Sequence, residues 1–222
     1  MILSSPMAVP AGELPVRSGL EVSPWAVSSA KRCFDFAFGS LALFTALPLF
    51  AVIALAIKCT SSGPVLFRQM RVGQHGLQFE LLKFRTMRNQ PGSAITRKGD
   101  SRITSVGRFL RRMKLDELPQ LINVVRGEMS LVGPRPDLPQ FWLTVAAGHS
   151  AIMQLRPGLT GRASLLFRDE ESLLASVPEN RLNEYYVSKL LPIKVGKDLE
   201  YAERSTLLSD MGIILRTLLL YV

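Results

Sequence analysis

The pattern of hydrophobic and polar positions divides the chain into a polar start, one long apolar run and a mixed remainder. Residues 1–30 contain Pro and Ser but no hydrophobic period, which predicts a flexible N-terminal tail. The apolar run FAFGSLALFTALPLFAVIALAI follows. Its length of about 22 residues suits a helix of about 33 Å, enough for the hydrocarbon core of a bilayer. A secretory signal would place such a run nearer the start, so we predict a retained membrane segment over residues 31–58.

This membrane segment contains Pro48 near its centre, where proline removes a helical hydrogen bond and favours a break. Basic residues flank both ends, since Lys31 and Arg32 precede the run and Lys58 follows it. The positive-inside rule then draws both ends to the same, cytoplasmic side. Together these features predict a re-entrant helix-break-helix. A single-pass helix with a mild kink is the alternative that length alone leaves open.

The segment after the membrane run alternates between polar and apolar residues, GPVLFRQMRVGQHGLQFELLKFRTM, with a glycine-bounded turn at residues 73–76. Such a pattern predicts a short β-hairpin. Alternation with period two places Lys83 and Arg85 on one face of the second strand, where two cations could hold a diphosphate. A solvated edge strand whose charges discourage aggregation is the alternative.

After the predicted hairpin, the stretch SRITSVGRFLRRMK has apolar residues at helical spacing, which predicts an amphipathic basic helix. This helix could lie on anionic lipid, pack on the core, or direct one of its arginines at a substrate phosphate. Its apolar stripe consists of Val106, Phe109, Leu110 and Met113. Three arginines lie beside the stripe: Arg108, Arg111 and Arg112.

Two adjacent carboxylates, Asp116 and Glu117, stand in the stretch MKLDELPQL, shortly before Pro119. Proline suits the first turn of a helix, and PQLINVVRG predicts a short helix that ends at Gly127. A helix N-terminus favours anions, either carboxylates or a bound phosphate. The pair could therefore be an acidic helix cap or part of a phosphate site.

The charge balance of the chain narrows its possible partners. Lys and Arg number 27 against 18 Asp and Glu, and the net charge of +9 favours a polyanion: nucleic acid, an anionic membrane or a phosphorylated substrate. The hydrophobic fraction of 47% favours the last two, and without a recognisable nucleic-acid-binding module we expect no nucleic-acid partner. The two cysteines and two widely separated histidines give no zinc spacing and no disulfide framework, which fits a reducing, cytosol-facing compartment.

Several stretches of the sequence occur together, in the same order, in one known family. They are KRCFDFAFGSLALFTALPLF, GPVLFRQMRVGQHGLQFELLKFRTM, DSRITSVGRFLRRMKLDELPQLINVVRGEMSLVGPRP and RPGLTGRAS. From about Lys31 to its C-terminus the chain resembles the bacterial sugar transferases, the monotopic phosphoglycosyl transferases, in their small catalytic-core form. The block LDELPQLINVVRGEMSLVGPRP is the specific part of this resemblance.

The resemblance implies a membrane enzyme on the cytoplasmic face of the bacterial inner membrane. Such enzymes move a phosphosugar from a nucleotide diphosphate sugar, here expected to be a UDP-sugar, to a polyprenol phosphate, and they release a nucleoside monophosphate. This is the first membrane step of glycoconjugate or exopolysaccharide assembly. By the same resemblance Asp116 matches the nucleophile that forms a covalent phosphosugar intermediate, and Glu117 matches the partner that holds Mg²⁺ together with Asp116.

The substrate contacts that the resemblance implies are cations. Arg111 resembles the family's phosphate-contacting arginine. A carboxylate is a weak nucleophile and the donor is an anion, so attack depends on charge neutralisation by cations and a metal. Mg²⁺ prefers oxygen ligands, commonly one or two carboxylates with phosphate and water, which suits the acid pair. The other expected phosphate contacts are Lys83, Arg85, Arg135 of GPRP and Arg156 of RPGLTG.

The combined prediction is a membrane-associated α+β protein with a re-entrant helix-break-helix, a small β-hairpin and a mostly helical catalytic core. Its parts are an N-terminal tail over residues 1–30, the membrane segment over residues 31–58, and a cytoplasmic-face catalytic domain with amphipathic C-terminal helices over residues 59–222. Two other functions remain as alternatives: a direct glycosyltransferase, which would release a nucleoside diphosphate, and a basic membrane adaptor without catalysis. No heptad seam is visible, so the sequence predicts no oligomeric state.

Overall fold

The computed structural model describes residues 20–88, 96, 98–139 and 150–221. Within these residues the fold is mainly helical with two small sheets, which confirms the predicted α+β class. The α-helices are α1 (Ser29–Thr60), α2 (Ser105–Arg112), α3 (Gln120–Arg126), α4 (Ser150–Met153), α5 (Arg162–Leu166), α6 (Glu170–Leu174), α7 (Leu182–Tyr185), α8 (Leu191–Arg204) and α9 (Leu207–Tyr221). The strands are β1 (Leu66–Val72), β2 (Gln78–Phe84), β3 (Ser130–Val132) and β4 (Gly158–Thr160).

The long helix α1 begins at a serine cap and continues through its proline. Ser28 Oγ accepts a hydrogen bond from the backbone N–H of Lys31 at 3.0 Å, and α1 then runs to Thr60 with Pro48 inside it. Pro48 removes one backbone donor, but the turns on both sides remain helical. The structure therefore does not confirm the predicted break, and α1 is one continuous helix.

Among the described residues, α1 is the helix that is long and apolar enough to cross a membrane, judged by length and composition. Much of its surface carries exposed apolar side chains, such as Phe44 and Leu55. Its other side approaches α3 closely at Gly39, where an added Cβ would lie 2.9 Å from Val124 Cγ1. A small residue at this position thus allows α1 to pack against the domain.

The predicted hairpin and the two short helices after it are confirmed. β1 and β2 pair antiparallel with Leu66 opposite Phe84, and the turn closes with a hydrogen bond from Gly73 N–H to Leu77 O at 2.7 Å. The helices α2 and α3 form where the sequence predicts them. α3 ends at Gly127, whose φ of 86° lies in the left-handed region that favours glycine.

A second, parallel sheet was not predicted. β3 and β4 pair with Ser130 opposite Gly158 and Val132 opposite Thr160. Because each strand has 3 residues and the two are distant in the sequence, no local alternation marks them. The pairing brings the GPRP loop after β3 beside the RPGLTG stretch, where Gly158 N–H donates to Pro134 O at 2.7 Å.

The core consists of hydrophobic clusters that connect these elements. One cluster joins α1 to the hairpin and to α2 through Ile57, Phe84 and Leu110. A central cluster, which includes Val124 of α3 and Val132 of β3, lies beneath the second sheet and reaches α8 and α9. A further cluster holds α4 against the C-terminal helices. The hairpin, α3 and β3 are thus fixed relative to one another.

Residues 20–28 fall in the predicted tail, and they lie against the folded domain. Ser23 N–H donates to Ala202 O at 2.8 Å, and Leu20 and Val22 contact the core clusters. Trp25 Nε1 donates to Asp210 Oδ2 of α9 at 2.9 Å. The rest of the predicted tail, residues 1–19, lies outside the described residues.

Candidate active site

Three elements meet at the carboxylate of Glu117. Its Oε1 accepts hydrogen bonds from Lys83 Nζ of β2 at 2.9 Å and from Arg135 Nη2, in the loop after β3, at 2.8 Å. Asp116 lies next to Glu117 in a short 3₁₀ turn, Leu115–Glu117. The structure thus brings together the predicted acid pair and two of the predicted cations.

The 3₁₀ turn places both carboxylates in the interior. Lys114, just before the turn, has a φ of 53°, a left-handed conformation that redirects the chain after α2. The exposed fractions of Asp116 and Glu117 are only 6% and 8%. The N-cap of α3 is Pro119, and no side chain caps this helix. The acid pair is therefore not the helix cap that the sequence left open.

The two carboxylates have different electrostatic surroundings. Burial opposes the charge of Glu117, but the guanidinium of Arg135 and the ammonium of Lys83 outweigh it and hold the pKa of Glu117 well below the usual range. For Asp116, burial is the larger influence and raises the pKa of the carboxyl against the attraction of Lys83. Asp116 Oδ1 is buried and has no hydrogen-bond partner among the described residues. Glu117 is therefore a fixed anion, whereas Asp116 retains an oxygen for a ligand or a reaction.

A cavity of about 840 Å³ opens beside this pair, a size that suits a nucleotide-sized ligand. Glu117 forms part of its wall, whereas Asp116 is buried next to the wall. The predicted residues Lys83, Arg111 and Arg135 also line the cavity. The charged lining residues and the tyrosine that the sequence analysis did not identify are Arg71, Lys114, Asp137, Arg168, Glu170, Glu171, Tyr186 and Lys194.

The cationic part of the wall is built around Arg135. Prolines at positions 134 and 136 flank Arg135 and restrict its backbone, which limits the directions in which the guanidinium can point. The carboxylate of Glu117 raises the pKa of Arg135 above its already high value. Arg71 lies close by and donates to Pro136 O at 3.4 Å. Two guanidinium groups therefore face the same part of the cavity.

Arg111 reaches the cavity from α2, as predicted, and it has an anionic partner there. Its guanidinium pairs with Glu171 of α6, and Nη1 donates to Thr86 Oγ1 at 3.3 Å. A phosphate that binds Arg111 would therefore compete with Glu171. The neighbouring Arg112 is exposed and is not among the cavity-lining residues.

The two remaining predicted cations lie away from the cavity wall. Arg85 Nη2 donates to the backbone oxygen and to the hydroxyl of Ser61 at 2.8 Å each, and Arg156 Nε donates to Gly127 O at 3.1 Å. The predicted joint diphosphate contact of Lys83 and Arg85 stays a prediction, because Lys83 contacts Glu117 whereas Arg85 contacts Ser61. A substrate role for Arg85 or Arg156 stays a prediction that no observed contact supports.

A chain of hydrogen bonds connects several of the polar lining residues that the sequence analysis missed. Tyr186 O–H donates to Asp137 Oδ1 at 3.0 Å, and Lys194 Nζ donates to Tyr186 OH at 3.2 Å and to Glu170 Oε2 at 3.0 Å. These residues come from separate elements, so only the tertiary fold brings them together. The helical spacing of Tyr186 and Lys194 is the one local signal that could have placed them on a common face.

The acid pair fits a bound Mg²⁺ ion. Two adjacent carboxylates, one of them with a buried oxygen that lacks a partner, form the oxygen donor set that Mg²⁺ uses when substrate phosphates supply further ligands. The described part of the chain contains no group of three or more His, Cys, Asp and Glu that could hold a metal. The role of Asp116 and Glu117 as Mg²⁺ ligands stays a prediction.

Comparisons with known proteins match this chain over nearly its whole length. A model of the bacterial sugar transferase family matches residues 26–222. A UDP-glucose:undecaprenyl-phosphate glucose-1-phosphate transferase of Caulobacter vibrioides is 41% identical over 212 residues, 92% of this chain and 74% of that protein. The exopolysaccharide production protein ExoY of Rhizobium meliloti is 33% identical over 207 residues, 85% of this chain and 84% of that protein. An undecaprenyl-phosphate glucose phosphotransferase of Komagataeibacter xylinus is 38% identical over 201 residues, 85% of this chain but 35% of that protein.

Asp198 of α8 is a buried carboxyl that lies close to the loop of Arg135 and Asp137. Burial raises its pKa to about 8, although the ammonium of Lys194 acts in the opposite direction. Because the ordinary value is 3.8, the folded protein binds more protons than the unfolded chain between these two values. Stability is therefore lost as the pH rises from the lower value towards the higher one.

We expect Asp198→Asn to weaken this pH dependence, because the amide stays neutral. The unfolding temperature of the variant, relative to the wild type, should increase as the pH rises from about 5 to about 9. Thermal unfolding across this pH range measures the difference. A constant offset at every pH would contradict the prediction.

Proposed function

The chain belongs to the bacterial sugar transferase family, and we propose that it transfers a sugar 1-phosphate from a UDP-sugar to a polyprenol phosphate and releases UMP. Its enzyme class is that of the phosphoglycosyl transferases. The observation that carries the proposal is the acid pair in its cationic surroundings: Glu117 held by Lys83 and Arg135, with the oxygen of Asp116 unpaired beside it. The names of two relatives, which are sugar-phosphate transferases to undecaprenyl phosphate, support the same reaction.

The donor diphosphate suits the cationic part of the cavity. Arg71, Lys83, Arg111 and Arg135 come from different elements and line the same space. Arginine binds phosphate oxygens through charge-assisted hydrogen bonds, which gain strength when water is excluded. A diphosphate placed here would bring its sugar-bearing phosphorus towards the acid pair.

We propose that Asp116 is the nucleophile. One carboxylate oxygen attacks the sugar-bearing phosphorus, the P–O bond to UMP breaks, and UMP leaves with the electron pair. A phosphate oxygen of the polyprenol phosphate then attacks the same phosphorus and displaces the Asp116 carboxylate, which is regenerated. Asp116 is buried next to the cavity wall, so the first step requires the donor phosphorus to come within reach of its carboxylate.

The neighbouring groups support this chemistry through charge. Lys83 and Arg135 counter the negative charge that accumulates on the transferring phosphate, and they hold Glu117 ionised. Mg²⁺ bound by Asp116 and Glu117 together with donor phosphates would neutralise further charge on the diphosphate. The cost of bringing an anionic nucleophile to an anionic substrate is lowered in this way.

We place the enzyme at the cytoplasmic face of the bacterial inner membrane, with α1 as a re-entrant segment. The exposed apolar surface of α1 and the basic residues at both of its ends support this position. A soluble donor can then meet an acceptor whose chain stays in the bilayer. The reaction would form the first membrane step of glycoconjugate or exopolysaccharide assembly, in line with the name of the relative from Rhizobium meliloti.

The covalent intermediate gives the first test of the proposed function. Incubation of the wild type with UDP-sugar alone should release UMP and leave a phosphosugar mass adduct on the peptide that contains Asp116. Asp116→Asn should abolish both, because the amide is not a nucleophile, and Asp116→Glu should abolish transfer because the attacking oxygen is displaced.

Glu117→Gln should slow the reaction and weaken its dependence on Mg²⁺. UMP release that requires both substrates together, without an adduct, would mean that the polyprenol phosphate attacks directly and that Asp116 is not the nucleophile. With donor and polyprenol phosphate together, release of UDP would indicate a direct glycosyltransferase, and release of no nucleotide would indicate an adaptor.

The cations give a second test. Arg135→Ala and Arg111→Ala should each lower turnover more than tenfold, since a charge-assisted contact is worth about 1.5 to 3 kcal/mol. Arg112→Ala is the matched control, because Arg112 is exposed and neighbours Arg111 without lining the cavity. Steady-state kinetics and thermal unfolding on the same preparations separate catalysis from folding. Equal losses in all three variants would mean that the arginines act on stability alone.

The membrane topology gives a third test. Single cysteines introduced as Ser29→Cys or Ser61→Cys, in a background without Cys33 and Cys59, mark the two ends of α1. A re-entrant helix predicts that both react with an impermeant thiol reagent only after the cells are permeabilised. Labelling of either end in intact cells would show a spanning helix.

A further inference from the structure

The cavity beside the acid pair has an apolar side that the transfer of phosphate does not explain. α1 and α9 form this side, and their lining residues recur at helical spacing on one face of each helix. We call the space that they line the α1–α9 cleft. Its lining residues are Phe38, Leu41, Ala42 and Thr45 of α1 with Ile214 and Leu218 of α9.

The α1–α9 cleft is open at its edge. Phe38, Leu41 and Leu218 are 53%, 60% and 58% exposed. Large contiguous apolar surfaces are unfavourable in water and mark sites that contact another apolar partner. The cleft is thus suited to a hydrocarbon chain and unsuited to a charged nucleotide.

The α1–α9 cleft is connected to the pair of strands that precedes Arg135. Thr217 Oγ1 of α9 lies 2.7 Å from Thr160 Oγ1 of β4, close enough for a hydrogen bond. β4 pairs with β3, and the loop after β3 carries Arg135. The apolar side and the cationic side therefore belong to one cavity. The hydrogen bond and the strand pairing fix the position of α9 relative to the loop that carries Arg135.

We propose that the α1–α9 cleft binds the isoprenoid chain of the acceptor and directs its phosphate towards the acid pair. This inference rests on the proposed function. The donor is polar along its whole length, whereas the acceptor joins one phosphate to a hydrocarbon chain. The acceptor alone has a charged end that matches the cationic side of the cavity and an apolar chain that matches the α1–α9 cleft.

The matched variants Leu218→Trp and Leu219→Trp test this assignment. Leu218 lines the cleft, whereas its neighbour Leu219 is exposed and is not among the lining residues. In detergent micelles, Leu218→Trp should raise the KM for undecaprenyl phosphate about tenfold, because the indole takes up space that part of the chain would fill. The KM for geranyl phosphate and the release of UMP from donor alone should not change. Leu219→Trp should behave as the wild type.

Each outcome of this experiment separates the hypotheses. A wild type that transfers to neither acceptor would refute the proposed function and the cleft with it. A wild type that transfers, combined with equal KM changes for both acceptors or with none, would overturn the cleft alone.

A second measurement on the unaltered protein covers the case in which Leu218→Trp fails to fold. An undecaprenyl phosphate with a photoreactive group on its chain should label the peptides that contain residues 38–45 and 214–218. Label confined to other peptides would also overturn the assignment.

Discussion

The attraction of Glu117 to two cations is the interaction on which the site depends. It joins the hairpin through Lys83, the 3₁₀ turn through Glu117 and the loop after β3 through Arg135. These groups are largely removed from water, so loss of one cation would leave the buried charge of Glu117 only partly compensated. The position of Asp116 follows from this contact, because Asp116 is the next residue in the same turn.

A second buried ionic contact holds the apolar helices to the domain. Lys31 Nζ near the start of α1 lies 2.6 Å from Asp210 Oδ2 near the start of α9. Tyr201 OH of α8 is within hydrogen-bonding distance of Asp210 Oδ1 and of Val132 O in β3. The exposed apolar stretches of both helices follow after this contact in the sequence. The starts of α1 and α9 are therefore tied to the strand that precedes Arg135, and their apolar faces extend from that point.

Local signals predicted those parts of the fold that depend on neighbours in sequence. The hairpin follows from alternation and a glycine turn, and α3 follows from Pro119 and Gly127. The β3–β4 pairing and the hydrogen bond from Tyr186 to Asp137 arise from contacts between distant segments, so no local pattern contains them. The predicted break at Pro48 stays a prediction, because α1 is helical on both sides of the proline.

The same division holds at the candidate site. The acid pair and the cavity-lining Arg111 and Arg135 were expected because several motifs of one family occur in order. Strand alternation could not show that Lys83 and Arg85 have different partners, because Glu117 and Ser61 come from other segments of the chain. Arg71 was missed because strand alternation alone gives a lone arginine no role, and only the folded chain brings it near Pro136.

Glu117 and Glu171, the carboxylates that pair with the cavity cations, differ in how easily a phosphate could replace them. Glu117 is held by two partners and its side chain is 11% exposed, whereas the Glu171 side chain, the partner of Arg111, is 38% exposed. An exposed ion pair is worth little in free energy because water and salt screen it. A donor phosphate could therefore displace Glu171 from Arg111 at small cost while the contacts of Glu117 persist. The donor phosphate would then bind in a cavity where the contacts that position Asp116 and Glu117 are already formed.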